Sequence, residues 1–217
     1  MGGKWIINRD DKMGSLFETD DSYGYETTLC GIDEAGRGSI AGPLVVAGVV
    51  LLDEIEGIDD SKKLSKRRRE ILYRRIMESS IVHIVLTEAW DIDRYGLSKS
   101  ISSSLLEIRA YFDGVADGFL FDGNSSFGVD GIETLIKADG KVAEVGAASI
   151  VAKVFRDRIV SGYDAIYGDY DFSSHKGYGT TSHIEAIGRL GYAPIHRRSF
   201  HLKRLEDIDD KDASLFG

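Results

Sequence analysis

Two apolar runs of strand length, residues 28–32 and 43–52, stand close together near the start of the chain, and the first leads straight into the acid pair Asp33-Glu34. The stretch Ala35-Gly36-Arg37-Gly38 between them reads as a turn, so the two runs predict neighbouring strands. A third strand is expected over 81–86. It follows a helical pattern over 65–77, with Ile71, Leu72 and Ile76 on one face and bases on the other. A second helical pattern, over 98–112, carries Ile101, Leu105, Ile108 and Phe112. The short apolar run 118–121 then ends at Asp122, and a strand over 132–137 ends near Asp139. Helices are expected over 146–159 and 181–190. Three early strands, then strands alternating with helices, predict an α/β domain around a mixed sheet.

The chain has 217 residues, 42% of them hydrophobic, which suits one domain with a sizeable core. Its single cysteine, Cys30, lies in an apolar run and reads as a buried thiol, with no disulfide framework. No apolar stretch reaches membrane-spanning length and no secretory segment is evident, so a soluble cytoplasmic protein is expected. Two prolines mark no interdomain linker. The expected organisation is an arm over 1–26, a catalytic domain over 27–205 and an acidic tail over 206–217. The net charge is −9, but the arm holds six acids against three bases and the tail five against one. Residues 27–205 therefore carry only −2, which is compatible with a nucleic-acid partner. Two basic clusters, Lys62, Lys63, Lys66, Arg67, Arg68, Arg69 and His196, Arg197, Arg198, His201, Lys203, Arg204, suggest a phosphate track.

The acids carry the chemistry. Asp33, Glu34, Asp122 and Asp139 all fall at the ends of expected strands, where sites form in open α/β sheets. Each alone reads equally well as a turn residue. Together they repel one another unless cations intervene, and an all-oxygen set suits Mg²⁺ or Mn²⁺, with no Cys/His pattern for zinc. The Gly36-Arg37-Gly38 turn can offer backbone N–H groups to a sugar hydroxyl or phosphate, though a lone turn of this kind is more often only a turn. Tyr178, in His175-Lys176-Gly177-Tyr178-Gly179-Thr180, can stack on a sugar or base.

The run Gly31-Ile32-Asp33-Glu34-Ala35-Gly36-Arg37-Gly38 with Ala41-Gly42-Pro43 resembles the signature of the type 2 ribonucleases H, specifically ribonuclease HII. The resemblance continues through Asp60-Ser61-Lys62-Lys63-Leu64-Ser65 and Asp122-Gly123-Asn124. It includes Lys137-Ala138-Asp139-Gly140, the run from Ala147 to Lys153, and Arg156-Asp157. It ends with the Tyr178 segment, His183 and His196-Arg197-Arg198-Ser199-Phe200. Ser39 and Ile40 depart from the family's usual proline and leucine. The resemblance implies a ribonuclease H-like fold, with a mixed five-stranded sheet flanked by helices. It implies Asp33, Glu34, Asp122 and Asp139 as catalytic metal ligands for two Mg²⁺ or Mn²⁺ ions. It also implies that Gly36, Arg37 and Gly38 read the ribonucleotide 2′-hydroxyl and that Tyr178 packs on the next sugar. Lys62, Lys63 and Arg197 would hold phosphates. The implied substrates are RNA/DNA hybrids and duplex DNA with an embedded ribonucleotide, and the implied protein is a monomer. Ribonuclease HIII has a different turn and an added N-terminal domain. A different nuclease on the same fold and a non-catalytic binding module remain the rivals. Ala213-Ser214-Leu215-Phe216 is faintly similar to a sliding-clamp-binding peptide, without its glutamine and paired aromatics.

Overall fold

The structure is a computed structural model that describes residues 27–58 and 64–200. Strands β1 (Leu29–Ala35) and β2 (Leu44–Leu51) pair antiparallel, with Asp33 opposite Ala47. Helix α1 (Lys66–Ser79) leads into β3 (Ser80–Thr87), which pairs antiparallel with β2. Helices α2 (Ala89–Tyr95) and α3 (Leu97–Tyr111) follow. Strands β4 (Gly118–Asp122) and β5 (Glu133–Leu135) then extend the sheet in parallel from β1. Helix α4 (Ala143–Gly162) precedes the short α5 (Asp164–Tyr167) and α6 (Phe172–His175), and then α7 (Thr181–Leu190). The sheet order is β3-β2-β1-β4-β5, a mixed five-stranded sheet flanked by helices, as expected.

The sheet is covered on both faces. Cys30, Ile32, Leu44, Val46 and Val50 pack with Ile92 of α2 and Ile101, Leu105, Ile108 and Phe112 of α3. Val45, Ala47 and Val49 pack on the other face with Leu72 and Ile76 of α1 and Ala147, Ala148 and Val151 of α4. This explains why residues 44–50 are apolar without alternation: both sides of β2 are buried. It also explains Gly31, because a Cβ there would lie 2.2 Å from the backbone of Glu144 in α4. Cys30 is buried, as expected, and burial pushes its thiol up to about 12.

Several elements differ from the sequence expectations, the short α5 and α6 among them. Strand β1 runs on through Asp33 and Glu34 to Ala35, so those acids belong to the strand's end and not to the turn after it. Strand β5 covers only Glu133–Leu135, because Lys137 takes a left-handed conformation (φ 59°) and opens a 3₁₀ turn, Ala138–Gly140, that carries Asp139. Helix α2 was not expected at all; its seven residues bury only Ala89 and Ile92, too few for a period to register. The arm, the tail and residues 59–63, with Lys62 and Lys63, lie outside the described residues. Among the described residues, no helix is long and apolar enough to cross a membrane.

Candidate active site

Asp33 and Glu34 close β1, and Asp122 closes the parallel neighbour β4. The pairing of these strands brings the three acids to one end of the sheet. Asp33 is buried, and its carboxyl is held well above the usual carboxylate range, first by burial and then by Glu34, with Asp122 adding to it. The Ser149 hydroxyl of α4 donates to Asp33 and offsets part of this. Glu34 is raised too, by burial and Asp122, against relief from Arg37, whose Nη1 lies 3.5 Å from Glu34 Oε1. Asp122 Oδ1 accepts the Ala138 amide at 3.2 Å, which ties β4 to the turn bearing buried Asp139.

These acids meet the test for a hard divalent cation. The donors are all oxygen, burial and neighbouring acids raise the carboxyls of Asp33 and Glu34, and Glu34 Oε2 is buried without a hydrogen-bond partner among the described residues. Among those residues no group of three acidic, histidine or cysteine side chains closes around one ion. Ligation by pairs of carboxylates, completed by water and substrate oxygens, is the mode that suits Mg²⁺.

The Gly36-Arg37-Gly38 turn lies beside these acids and is held from beneath by two buried arginines. Arg197 is 1% exposed and donates from Nε to the Gly42 carbonyl (3.0 Å) and from Nη1 to the Gly36 carbonyl (2.7 Å). Arg156 of α4 is 0% exposed and donates to the carbonyls of Pro43 (2.8 Å), Ala41 (3.0 Å) and Lys176 (2.9 Å). The last bond joins the turn's stem to the Tyr178 segment, and the Ile40 and Ala41 amides strengthen that join by donating to the Gly177 carbonyl. Ser39, one of the two departures, forms a backbone bridge with Tyr178. Gly36 has φ +93°, and a Cβ on it would lie 2.1 Å from Arg156 Nε, whereas a Cβ on Gly38 would meet nothing within 4 Å.

An open cleft of about 320 Å³ joins these parts; Glu34, residues 36–38, Ser149, Lys153, Arg69 and Tyr178 are among its lining. Tyr178 is 37% exposed, with Lys153 Nζ 5.3 Å and Arg156 Cζ 5.5 Å from its ring centre. The bases Lys66, Arg67, Arg68 and Arg69 occupy the first turn of α1, where the helix dipole disfavours cations. An anionic partner accounts for that placement better than helix stability does.

A family model of ribonuclease HII matches residues 30–113 and 122–203. The chain belongs to the ribonuclease HII family. Ribonuclease HII of Aliarcobacter butzleri (strain RM4018) is 53% identical over 177 residues, spanning 82% of this chain and 92% of that protein. That of Sulfurovum sp. (strain NBC37-1) is 52% identical over 179 residues, 82% and 94%. A chain of the PCNA:RNase HII complex from Archaeoglobus fulgidus superposes with a TM-score of 0.70 at 28% identity, covering 81% of this chain and 96% of that one. Bst-RNase HIII in complex with Mn²⁺ matches with a TM-score of 0.66 at 19% identity, 80% and 67%, a likeness of fold alone. The enzyme is thus a hydrolase acting on RNA in RNA/DNA hybrids.

Part of the expected phosphate track is buried within this ribonuclease HII framework. Arg197 is 1% exposed, with Nε and Nη1 donating to the Gly42 and Gly36 carbonyls and Nη2 buried without a hydrogen-bond partner among the described residues. His196 is buried as well, 3.0 Å from His183. Arg69 belongs to the first expected basic cluster, whereas Ser149, Lys153 and Arg156 were given no roles from the sequence. The signal for these three is their three- to four-residue spacing along one helix: 149, 153, 156.

Two predictions follow from this geometry. Gly36→Ala forces a left-handed alanine onto Arg156 and should cost about 3 kcal/mol, roughly 6–12 °C in melting temperature. Gly38→Ala should melt like wild type yet lower kcat/KM by about tenfold or more, because its methyl enters the cleft. Thermal melts with steady-state kinetics on both variants check this pair; a normal melt for Gly36→Ala would contradict it. The second concerns acid. Burial, with repulsion from neighbouring histidines, pushes His183 and His196 down to about 4 from 6.5. The unfolded chain binds protons at these sites below pH 6.5 and the folded chain only near 4. Their contribution to stability is complete above 6.5 and drains away as pH falls toward 4. His183→Asn should therefore show a shallower fall in melting temperature between pH 7 and 4.5 than wild type. An identical slope would remove the imidazoles from the account.

Proposed function

We propose that this ribonuclease HII cuts at single ribonucleotides embedded in duplex DNA as well as within RNA/DNA hybrids, leaving 5′-phosphate and 3′-hydroxyl ends. The supporting observation is that the Gly36–Gly38 backbone, Tyr178 and Glu34 line one cleft. A ribonucleotide seated there meets backbone N–H groups that can recognise its 2′-hydroxyl, the feature that separates RNA from DNA. The ring of Tyr178 then packs on the following sugar. Packing is closest on a deoxyribose, because a ribose would bring a hydroxyl that an aromatic face cannot satisfy. Arg37, Arg69 and Lys153 hold flanking phosphates, which fixes register without choosing sequence, and Lys62 and Lys63 belong to the same proposed track. The catalytic unit spans 27–205.

Asp33, Glu34, Asp122 and Asp139 would hold two Mg²⁺ or Mn²⁺ ions, which supply an activated water and neutralise charge on the leaving oxygen. The chain's own residues prepare that chemistry: Ser149 orients Asp33, and the Ala138 amide orients Asp122. The Mn²⁺ complex of the fold relative Bst-RNase HIII supports this class of ion. The protein is proposed to act in the cytoplasm as a monomer. Sliding-clamp docking, suggested by the PCNA complex of the Archaeoglobus relative, would fall to residues 213–216, outside the described residues.

The test compares kcat/KM on a duplex carrying one ribonucleotide and on a continuous hybrid, for wild type, Tyr178→Ala and Tyr178→Phe at one salt concentration. Wild type should cut both, lose activity in EDTA and regain it with Mg²⁺ or Mn²⁺. Tyr178→Ala should lose about 1–3 kcal/mol of transition-state stabilisation on the embedded ribonucleotide and much less on the hybrid. Tyr178→Phe should retain the packing contribution. Equal losses on both substrates would reduce Tyr178 to scaffolding, and activity in excess chelator would falsify the metal reading.

A further inference from the structure

Three imidazoles stand behind the Tyr178 segment. His175 closes α6, His183 lies in the first turn of α7, and His196 follows that helix. His175 and His183 stack with ring centres 4.0 Å apart, and His183 Nε2 lies 3.0 Å from His196 Nε2. Their neighbours fix the protons. His175 Nδ1 accepts the Gly177 amide (3.1 Å), so its Nε2–H donates to the Tyr170 carbonyl (2.8 Å). His196 Nδ1 accepts the Ala193 amide (2.9 Å), so its Nε2–H donates to His183 Nε2. That leaves His183 with its hydrogen on Nδ1, donated to the Tyr178 carbonyl at 3.0 Å. In this arrangement both nitrogens of each ring are engaged.

We propose that His183 is a positioning residue for Tyr178, a neutral imidazole that holds the Tyr178 carbonyl through Nδ1–H while His196 locks its other nitrogen. The proposal rests on the specificity role given to Tyr178 above. In front of the segment, Ile40 and Ala41 donate to the Gly177 carbonyl (2.9 and 3.1 Å) and Ser39 bridges Tyr178. Behind it, His183 and His175 grip Tyr178 and Gly177. The segment is pinned between the reading turn and the imidazoles, so the ring of Tyr178 has one place in the cleft. A proton added to His183 would set its Nε2–H against the Nε2–H of His196. Relief comes only if His196 swaps the Ala193 amide for the Ala193 carbonyl, 3.2 Å from the same nitrogen. Burial, which pushes both imidazoles down to about 4, keeps them in the neutral arrangement at neutral pH.

Asparagine and glutamine separate this role from mere filling of space. The side-chain amide of Asn can take the place of Nδ1–H, whereas that of Gln reaches toward Nε2. The experiment measures amide hydrogen exchange at Ile40, Ala41 and Gly177 in full-length His183→Asn and His183→Gln. It also measures the ratio of kcat/KM on the embedded ribonucleotide to that on the hybrid. His183→Gln should speed exchange at the three amides about tenfold and lower the ratio about fivefold, the worth of one buried hydrogen bond. His183→Asn should restore both toward wild type even if both variants melt equally low. Unchanged exchange in His183→Gln, equal behaviour of the two variants, or a loosened segment with an unchanged ratio would overturn the proposal. Tyr178→Ala is carried through the same assay. If it too leaves the ratio untouched, the fault lies with the reading of Tyr178, while the exchange data still decide whether His183 holds the segment.

Discussion

Two guanidinium groups buried under one turn are the constraint on which the rest of this site depends. Arg156 and Arg197 between them spend five short hydrogen bonds on the carbonyls of Gly36, Ala41, Gly42, Pro43 and Lys176. Burying a charge is costly unless it is well hydrogen-bonded, and burying two neighbours adds repulsion. Burial pulls both arginines below their usual range, and Arg156 pushes Arg197 further down. Carbonyl dipoles are the direct partners, so the turn must keep these oxygens pointed inward for the arginines to be tolerated. A turn held this way needs little reorganisation when substrate arrives.

The same two side chains bring distant parts of the chain into one site. Arg156 comes from α4, which also carries Ser149 against Asp33 and Lys153 beside Tyr178. Arg197 comes from beyond α7, next to His196 in the imidazole chain. The acids, the turn and the Tyr178 segment therefore share one rigid backing, and Gly36 has no room for a Cβ because Arg156 occupies that space.

Much of this was legible in the sequence. Short apolar runs, each ending in an acid, marked β1 and β4, and the parallel pairing of those strands brings Asp33, Glu34 and Asp122 to one end of the sheet. Asp139 was legible as an acid near a strand end but not in its 3₁₀ setting, which depends on a left-handed Lys137 that residue type does not announce. The burial of Arg197 and His196 was not legible, for a physical reason. A basic cluster usually marks a solvated face, and only the three-dimensional closeness of residues 36–43 to residues 195–197 turns these donors inward. Arg156 was hidden the same way, a buried charge set among Lys153, Asp157 and Arg158, which are not buried.

The most direct test of the account replaces the fork at position 197 while keeping its charge. Arg197→Lys and wild type are compared on two duplexes that differ only in whether one nucleotide is ribo or deoxy, with circular dichroism to verify the fold. The account predicts that wild type cuts only the ribo duplex, and that a folded Arg197→Lys loses about tenfold or more of its kcat/KM there because the turn no longer holds its amides in place. A folded Arg197→Lys that cuts the ribo duplex at the wild-type rate would contradict it.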